Sequence, residues 1–343
     1  MPWQLLGAQR AKESLEGMLK RGRLPHALLF TGPYGGGKFT MALDIVKAAN
    51  CENPDQNGSP CQKCISCRKI GNKNFPDLTI LVPQGRSYTH PIEDVRLMRD
   101  YLAFKPYEGK TKSVIIKEAD KLSGDSGGAL LKTLEEPTPN TLLVLTAISA
   151  SRVMETLVSR CLTIKIPSLT RPELLKAIEE QKGLTGPKAE LIGGLSSGAL
   201  GMALELDAEE AYKLWNQIAD IFGAPKGTKR LQKAAHLADT CDTLYKALKA
   251  KDDLLTGSAR DYLNLLYNSL RLWFRDAAVL AATGEASLLE GPPPNKALKS
   301  FAASLSLEDL HHYERSIFKL SDNISRSIRS DLVFENFWLD VIK

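Results

Sequence analysis

The segment Gly32-Pro33-Tyr34-Gly35-Gly36-Gly37-Lys38 sets a glycine-rich run and a lysine between a short apolar run and a helical stretch. Glycines in that context let backbone N–H groups converge on phosphate oxygens, while a helix N-terminus adds its dipole and Lys38 a cation. The next position breaks the pattern. A hydroxyl belongs there to ligate Mg²⁺, and the residue is Phe39; Thr40 comes one residue late and on a helix points about 100° away. This loop either binds phosphate or nucleotide or is a relic kept for its fold, and the residues alone leave both open. A second defect lies in SVIIKEAD, where Lys117 stands in place of the metal-holding aspartate expected before Glu118. An ammonium repels the cation whose ligand it replaces. Two independent losses therefore fall on one metal, and hydrolysis by this chain is not expected.

Cys51, Cys61, Cys64 and Cys67 form a C-x9-C-x2-C-x2-C cluster, while Cys161 and Cys241 stand alone. The spacing suits a structural Zn²⁺ held by four thiolates, a closed tetrahedral set with no open position for catalysis. Such a site would stiffen the insertion ENPDQNGSP (52–60), which has almost no apolar residue to bury. A zinc-dependent DNA-binding module is a rival reading. Lys63, Arg68, Lys69 and Lys73 supply some charge for it, but no aromatic residue interleaves before Phe75.

These groups must be positioned by the elements around them. Strand-like runs occur at 26–30, 78–82, 113–117, 141–148 and 161–166, each short and bounded by Gly, Pro or polar residues. Helical patterns alternate with them: one starting at Pro91 and running to about Phe104, one over 129–136 stopped by Pro137, one over about 151–159. Alternation of this kind predicts an α/β fold, a mostly parallel sheet with helices on both faces. After Pro167 the strand signals end. Two or three short helices cover 168–205, loops fall at 223–230 and 284–296, and long amphipathic helices follow. Their aromatics, Trp215, Phe222, Trp273, Phe274, Phe318, Phe334 and Trp338, read as bundle core.

Bulk properties agree with a cytoplasmic protein of two or three domains in 343 residues, with 43% apolar and 25% charged residues. The start lacks the apolar core of a signal peptide, and no run reaches the ~20 apolar residues of a bilayer span. A net charge of +5 permits a nucleic-acid neighbour without requiring one.

The segments WQLLGAQ (3–9), RLPHALLFTGPYGGGK (23–38), NFPDL (74–78), ALLKTLEEPTPNT (129–141) and Ser159-Arg160-Cys161, with the cysteine cluster, carry a family signature. With them the chain resembles the AAA+ clamp-loader subunits of bacterial DNA polymerase III, strongly to about residue 205 and as general helical architecture beyond. The resemblance implies a RecA-like P-loop domain at 1–166 with its zinc module at 51–67, a helical lid at 167–206 and a helical collar at 207–343. It implies a hetero-pentameric ring with delta-like and gamma/tau-like partners, acting through the complex on a sliding clamp and primed DNA within a nucleotidyltransferase holoenzyme. Taken alone, Arg160 reads as a helix-end dipole partner; the resemblance makes it an arginine finger reaching a neighbouring ATP site. Gly201, in SSGALGMAL, stands where motor subunits carry a lid arginine. Three departures place the chain among the non-hydrolysing members, with an active motor subunit as the alternative.

Overall fold

Because successive side chains of a strand point to opposite faces, a strand covered on both sides must be apolar at every position. The three inner strands, β1 (Ala27–Thr31), β3 (Lys112–Ile116) and β4 (Thr141–Ala147), are mostly apolar and buried throughout, whereas the edge strands β2 (Leu78–Leu81) and β5 (Leu162–Lys165) are half-buried and largely exposed, respectively. The structure, a computed structural model, describes residues 3–85, 88–224, 232, 256–325, 337, 338, 340 and 341. All strand pairings are parallel, in the order β2-β3-β4-β1-β5.

Leu28 and Phe30 of β1 pack with Val144 and Ile164 against Leu15 of α1 (Gln9–Lys20) and Met41, Ile45 and Val46 of α2 (Lys38–Asn50). Ile70 of α3 (Ile65–Gly71) joins the same layer. On the opposite face, Ala27, Leu29, Leu143 and Leu145 meet α4 (Ile92–Leu102), α5 (Gly124–Glu135) and α6 (Glu155–Val158) through Met98, Leu130, Leu134 and Leu157. This is the parallel α/β architecture that the alternation predicts.

Local chemistry sets the helix ends. Ser123 and Ser126 form a reciprocal capping box that starts α5, and Pro137 stands just beyond its end. The α4 helix begins at Ile92, with Pro91 just outside and Glu93 and Asp94 in the first turn. One predicted helix changes. The single helix predicted over 151–159 is instead a 3₁₀ turn, Ala150–Arg152, followed by the four-residue α6. Val153 interrupts it: its β-branched side chain is buried in the core in an extended conformation, φ −97° and ψ 148°.

The chain forms two compact units, residues 1–173 with 198–202, and residues 174–197 with 203–343. The second is helical. After α7 (Arg171–Lys182), α8 (Gly186–Ser196) and α9 (Leu200–Glu205) come α10 (Ala208–Phe222), α11 (Thr256–Thr283), α12 (Lys296–Ala303) and α13 (Leu307–Ser325). An aromatic core joins them. Trp215 meets Trp273 edge-on at 5.2 Å, and Phe222 contacts Trp273, Phe274, Phe301 and Trp338. Phe318 does not belong to it. Tyr313, Ser316 and Leu320 form the buried stripe of α13, and Phe318, two positions from each of the last two, faces the other way at 78% exposure. Of the remaining expectations, loop positions 225–230, Cys241 and Phe334 lie outside the described residues. No described helix is long and apolar enough to cross a membrane.

Candidate nucleotide loop, cysteine cluster and exposed arginine

The glycine-rich loop leaves β1 and enters α2 through backbone that side chains would obstruct. A Cβ on Gly32 would lie 2.2 Å from the Ile166 carbonyl oxygen. Gly37, the residue before α2, has φ +84°, and a Cβ there would meet a Leu5 methyl at 2.1 Å. No side chain caps α2, so its first N–H groups keep the orphan donors that define an anion-binding helix start. Lys38 folds back over the loop, its ammonium donating to the carbonyl oxygens of Gly32 (2.8 Å) and Pro33 (2.6 Å). Burial lowers the Lys38 pKa, against the opposing pull of Asp120 and Glu118.

Where metal ligands are expected, the structure has an aromatic ring and two ammonium groups. Phe39 packs on the α1–α2 side of the sheet core, with Lys117 Nζ 5.0 Å and Lys73 Nζ 5.4 Å from its ring centroid. Thr40 follows within the same helix, one residue round from Phe39. Glu118 sits in a left-handed conformation (φ +53°), accepts from the Tyr88 hydroxyl at 2.9 Å and donates its N–H to Thr146 Oγ1. The N–H of Gly201 donates to the Gly35 carbonyl at 2.9 Å. A Cβ on Gly201 would stand 2.9 Å from that oxygen, so no arginine fits at this position while the contact holds.

Cys51 ends α2, Cys64 caps α3, and Cys61 and Cys67 complete a set whose ligand atoms all lie within 4.8 Å of one another. Tetrahedral Zn–S bonds of about 2.3 Å require sulfurs about 3.8 Å apart, so four thiolates at this spacing fit the ion. Backbone N–H groups prepare the sulfurs for it: Cys61 donates to Cys51 Sγ, Cys64 to Cys61 Sγ and Cys67 to Cys64 Sγ. Burial works to raise the Cys61 thiol, but N–H donors from Lys63 and Cys64 outweigh it and bring the thiol down to about 6. Burial, aided by the Cys64 sulfur, pushes Cys67 up. The lone Cys161 is raised by burial to about 11. This cluster can hold a metal ion, and its donor set is consistent with zinc.

The polar insertion is held by hydrogen bonds in place of apolar burial. Ser59 donates to Glu16, which also accepts from the Trp3 indole, and Asp55 closes its own turn on Asn57 and Ser59. Between Cys61 and Cys64, Gln62 reaches α2, bonding Asp44 and Lys47. Asp44 accepts from the N–H groups of Gln4 and Leu5, and Lys47 donates to the Gln4 side chain. Sequence reading misses this network, because Gln4, Asp44, Lys47 and Gln62 come from three segments with no shared motif.

Arg160 stands apart from the glycine loop's ligand groups, just past α6. Its guanidinium donates to the Thr156 carbonyl at 2.9 Å, to Ser159 Oγ at 3.3 Å and to Glu135 Oε1 at 2.5 Å. Glu135, within the LKTLEEP segment but 25 positions away, is a second residue that motif spacing does not pair with Arg160.

Residues 7–170 match the protein family described as "DNA polymerase III, delta subunit". Among curated proteins, the chain is 29% identical to the Bacillus subtilis DNA polymerase III subunit delta′ over 59% of its own length and 60% of that protein. It is 32% identical to the Escherichia coli subunit tau over 59% of its length and 32% of that protein. Against the B. subtilis subunit tau the identity is 25%, over 90% of this chain and 55% of that protein. The chain thus spans about a third to three-fifths of the length of these relatives.

Proposed function

We propose, from the family match over residues 7–170 and the likeness to DNA polymerase III subunits delta′ and tau, that this chain is an AAA+ clamp-loader protein, a delta-prime-type subunit of a DNA polymerase III clamp loader. In this reading it hydrolyses no nucleotide itself and supplies Arg160 in trans to a neighbouring ATPase subunit. The observation that carries it is the packing of Lys117 over Phe39. Hydrolysis needs a hydroxyl and a carboxylate around Mg²⁺. Here an aromatic ring and an ammonium stand at those two positions and stabilise each other, so the site is committed to a cation of its own. Gly201 adds a third loss, since the backbone contact with Gly35 leaves no room for a lid arginine.

The layout that follows is a P-loop-type domain at 1–166 with the zinc module at 51–67, a lid at 167–206 and a collar at 207–343. Partners are delta-like and gamma/tau-like subunits in a five-membered ring, with clamp and primed DNA engaged through the complex in the cytoplasm. Glycine-loop residues Gly32, Gly35, Gly37 and Lys38 keep the elements of phosphate contact, whereas Phe39 and Thr40 do not supply the metal's hydroxyl. A motor reading, gamma/tau-like, draws on the 32% identity to subunit tau and on the placement of Lys38. ATPase assay of the isolated, metal-loaded chain separates the two. The proposal expects no Mg²⁺-dependent turnover, and none after Phe39→Thr with Lys117→Asp, because Gly201 still lacks the lid cation. Robust turnover by the wild-type chain, abolished by Lys38→Ala, establishes the motor reading instead.

A further inference from the structure

Glutamates at a helix C-terminus stand against the helix dipole, which favours cations there. Glu135 is the last residue of α5 and Glu136 follows it, so the chain spends two carboxylates where local stability would choose lysine or arginine. Glu135 faces Arg160, and the separation of the two is set by buried structure. Leu134, next to Glu135, and Leu157, three residues before Arg160, belong to one core cluster at 3% and 0% exposure. Gly127 brings α5 close to α6, since a Cβ there would lie 2.3 Å from Met154 Sδ. Arg160 is therefore held from two sides, by the Thr156 carbonyl on Nη1 and by Glu135 on Nη2. A guanidinium has five N–H donors, so donors remain free for a phosphate.

Resting on the finger reading of Arg160, we propose that Glu135 is its positioning residue: the carboxylate fixes the guanidinium in one rotamer at the surface before the neighbour's nucleotide arrives. Four rotatable bonds separate an arginine backbone from its planar guanidinium, and freezing them in advance removes an entropic cost from each turnover. The pair is too exposed, at 35% for Arg160 and 49% for Glu135, to matter much for folding. Its value then lies in geometry, which a transition state senses more sharply than a ground state does.

The test is steady-state ATPase of the reconstituted loader, stimulated by clamp and primed DNA, with assembly checked by gel filtration. Glu135→Ala should assemble normally and lower kcat about tenfold with KM for ATP nearly unchanged. Glu135→Gln, which keeps an acceptor at the same reach, should restore most of the rate, and Glu135→Asp, one methylene shorter, should not. Glu135→Ala combined with Arg160→Ala should be no slower than Arg160→Ala alone. Full activity of Glu135→Ala beside an inactive Arg160→Ala overturns the positioning role and leaves the finger standing. Additive losses, or a loss traced to failed assembly or a lowered melting temperature, overturn it as well. An active Arg160→Ala complex removes the finger reading itself.

Discussion

Replacing Asp44 by alanine takes the only carboxylate from a buried polar cluster that ties the cysteine module, the glycine-loop helix and the N-terminal segment together. Asp44 and Lys47 side chains are 0% and 1% exposed and lie 3.5 Å apart. Asp44 also accepts from the Gln4 N–H at 2.7 Å and the Leu5 N–H at 3.3 Å, and from Gln62 Nε2 at 3.1 Å. Breaking a buried pair by removing one partner costs about 3–5 kcal/mol, because the other charge is left uncompensated. At about 2–4 °C per kcal/mol for a domain of this size, the melting temperature should fall by about 10 °C. Glu108→Ala provides the contrast. It breaks the Lys69–Glu108 pair, whose side chains are 38% and 31% exposed, and should cost less than about 1 kcal/mol. Adding Lys47→Met to Asp44→Ala removes the stranded ammonium and should recover more than half of the loss. Thermal unfolding of the metal-loaded chain measures all of these. If Asp44→Ala melts within about 2 °C of wild type, no lower than Glu108→Ala, the argument from the buried network is refuted.

Metal analysis after stringent dialysis should find about one zinc per chain, and Cys67→Ser should lower that content sharply; folded, reduced protein free of zinc would remove the site. A second expectation concerns acid. Burial works to raise the Asp77 carboxyl, but N–H donors from Tyr107, Gly109 and Glu108 outweigh it and hold its pKa below the ordinary value. Its stabilisation is therefore complete above about pH 4 and lost as pH falls through the lowered folded value. Urea unfolding should show wild type well above Asp77→Asn at pH 7, with the gap narrowing as pH falls below the ordinary aspartate range; a gap independent of pH would show that ionisation of Asp77 is not the source.

The sheet was legible because burial on both faces demands uninterrupted apolar residues, as in ALLFT of β1 and TLLVLTA of β4. Cys51, Cys61, Cys64 and Cys67 were legible for a similar reason: short spacings bring four sulfurs together with little help from the rest of the fold. Contacts between distant segments were not. Phe39 and Lys117 each read as a lost metal ligand, but their stacking depends on how α2 and the end of β3 meet. Glu135 and Arg160 meet because α5 and α6 pack on one side of the sheet. The break at Val153 was hidden as well, since its side chain suits a helical pattern until the core claims it in an extended conformation.

The central claim, a subunit that hydrolyses nothing yet is required for hydrolysis next door, is tested most directly by Arg160→Ala in a reconstituted loader. The substitution removes an exposed ion pair and should leave folding and assembly unchanged. Clamp- and DNA-stimulated ATPase at the adjacent site should fall by about 10³-fold or more, the scale on which a guanidinium stabilises transferring phosphate charge. Arg160→Lys should be nearly as slow, because an ammonium lacks the planar fork. Complexes that assemble with Arg160→Ala and keep full stimulated activity would contradict the claim and return Arg160 to the role of a helix-end cap.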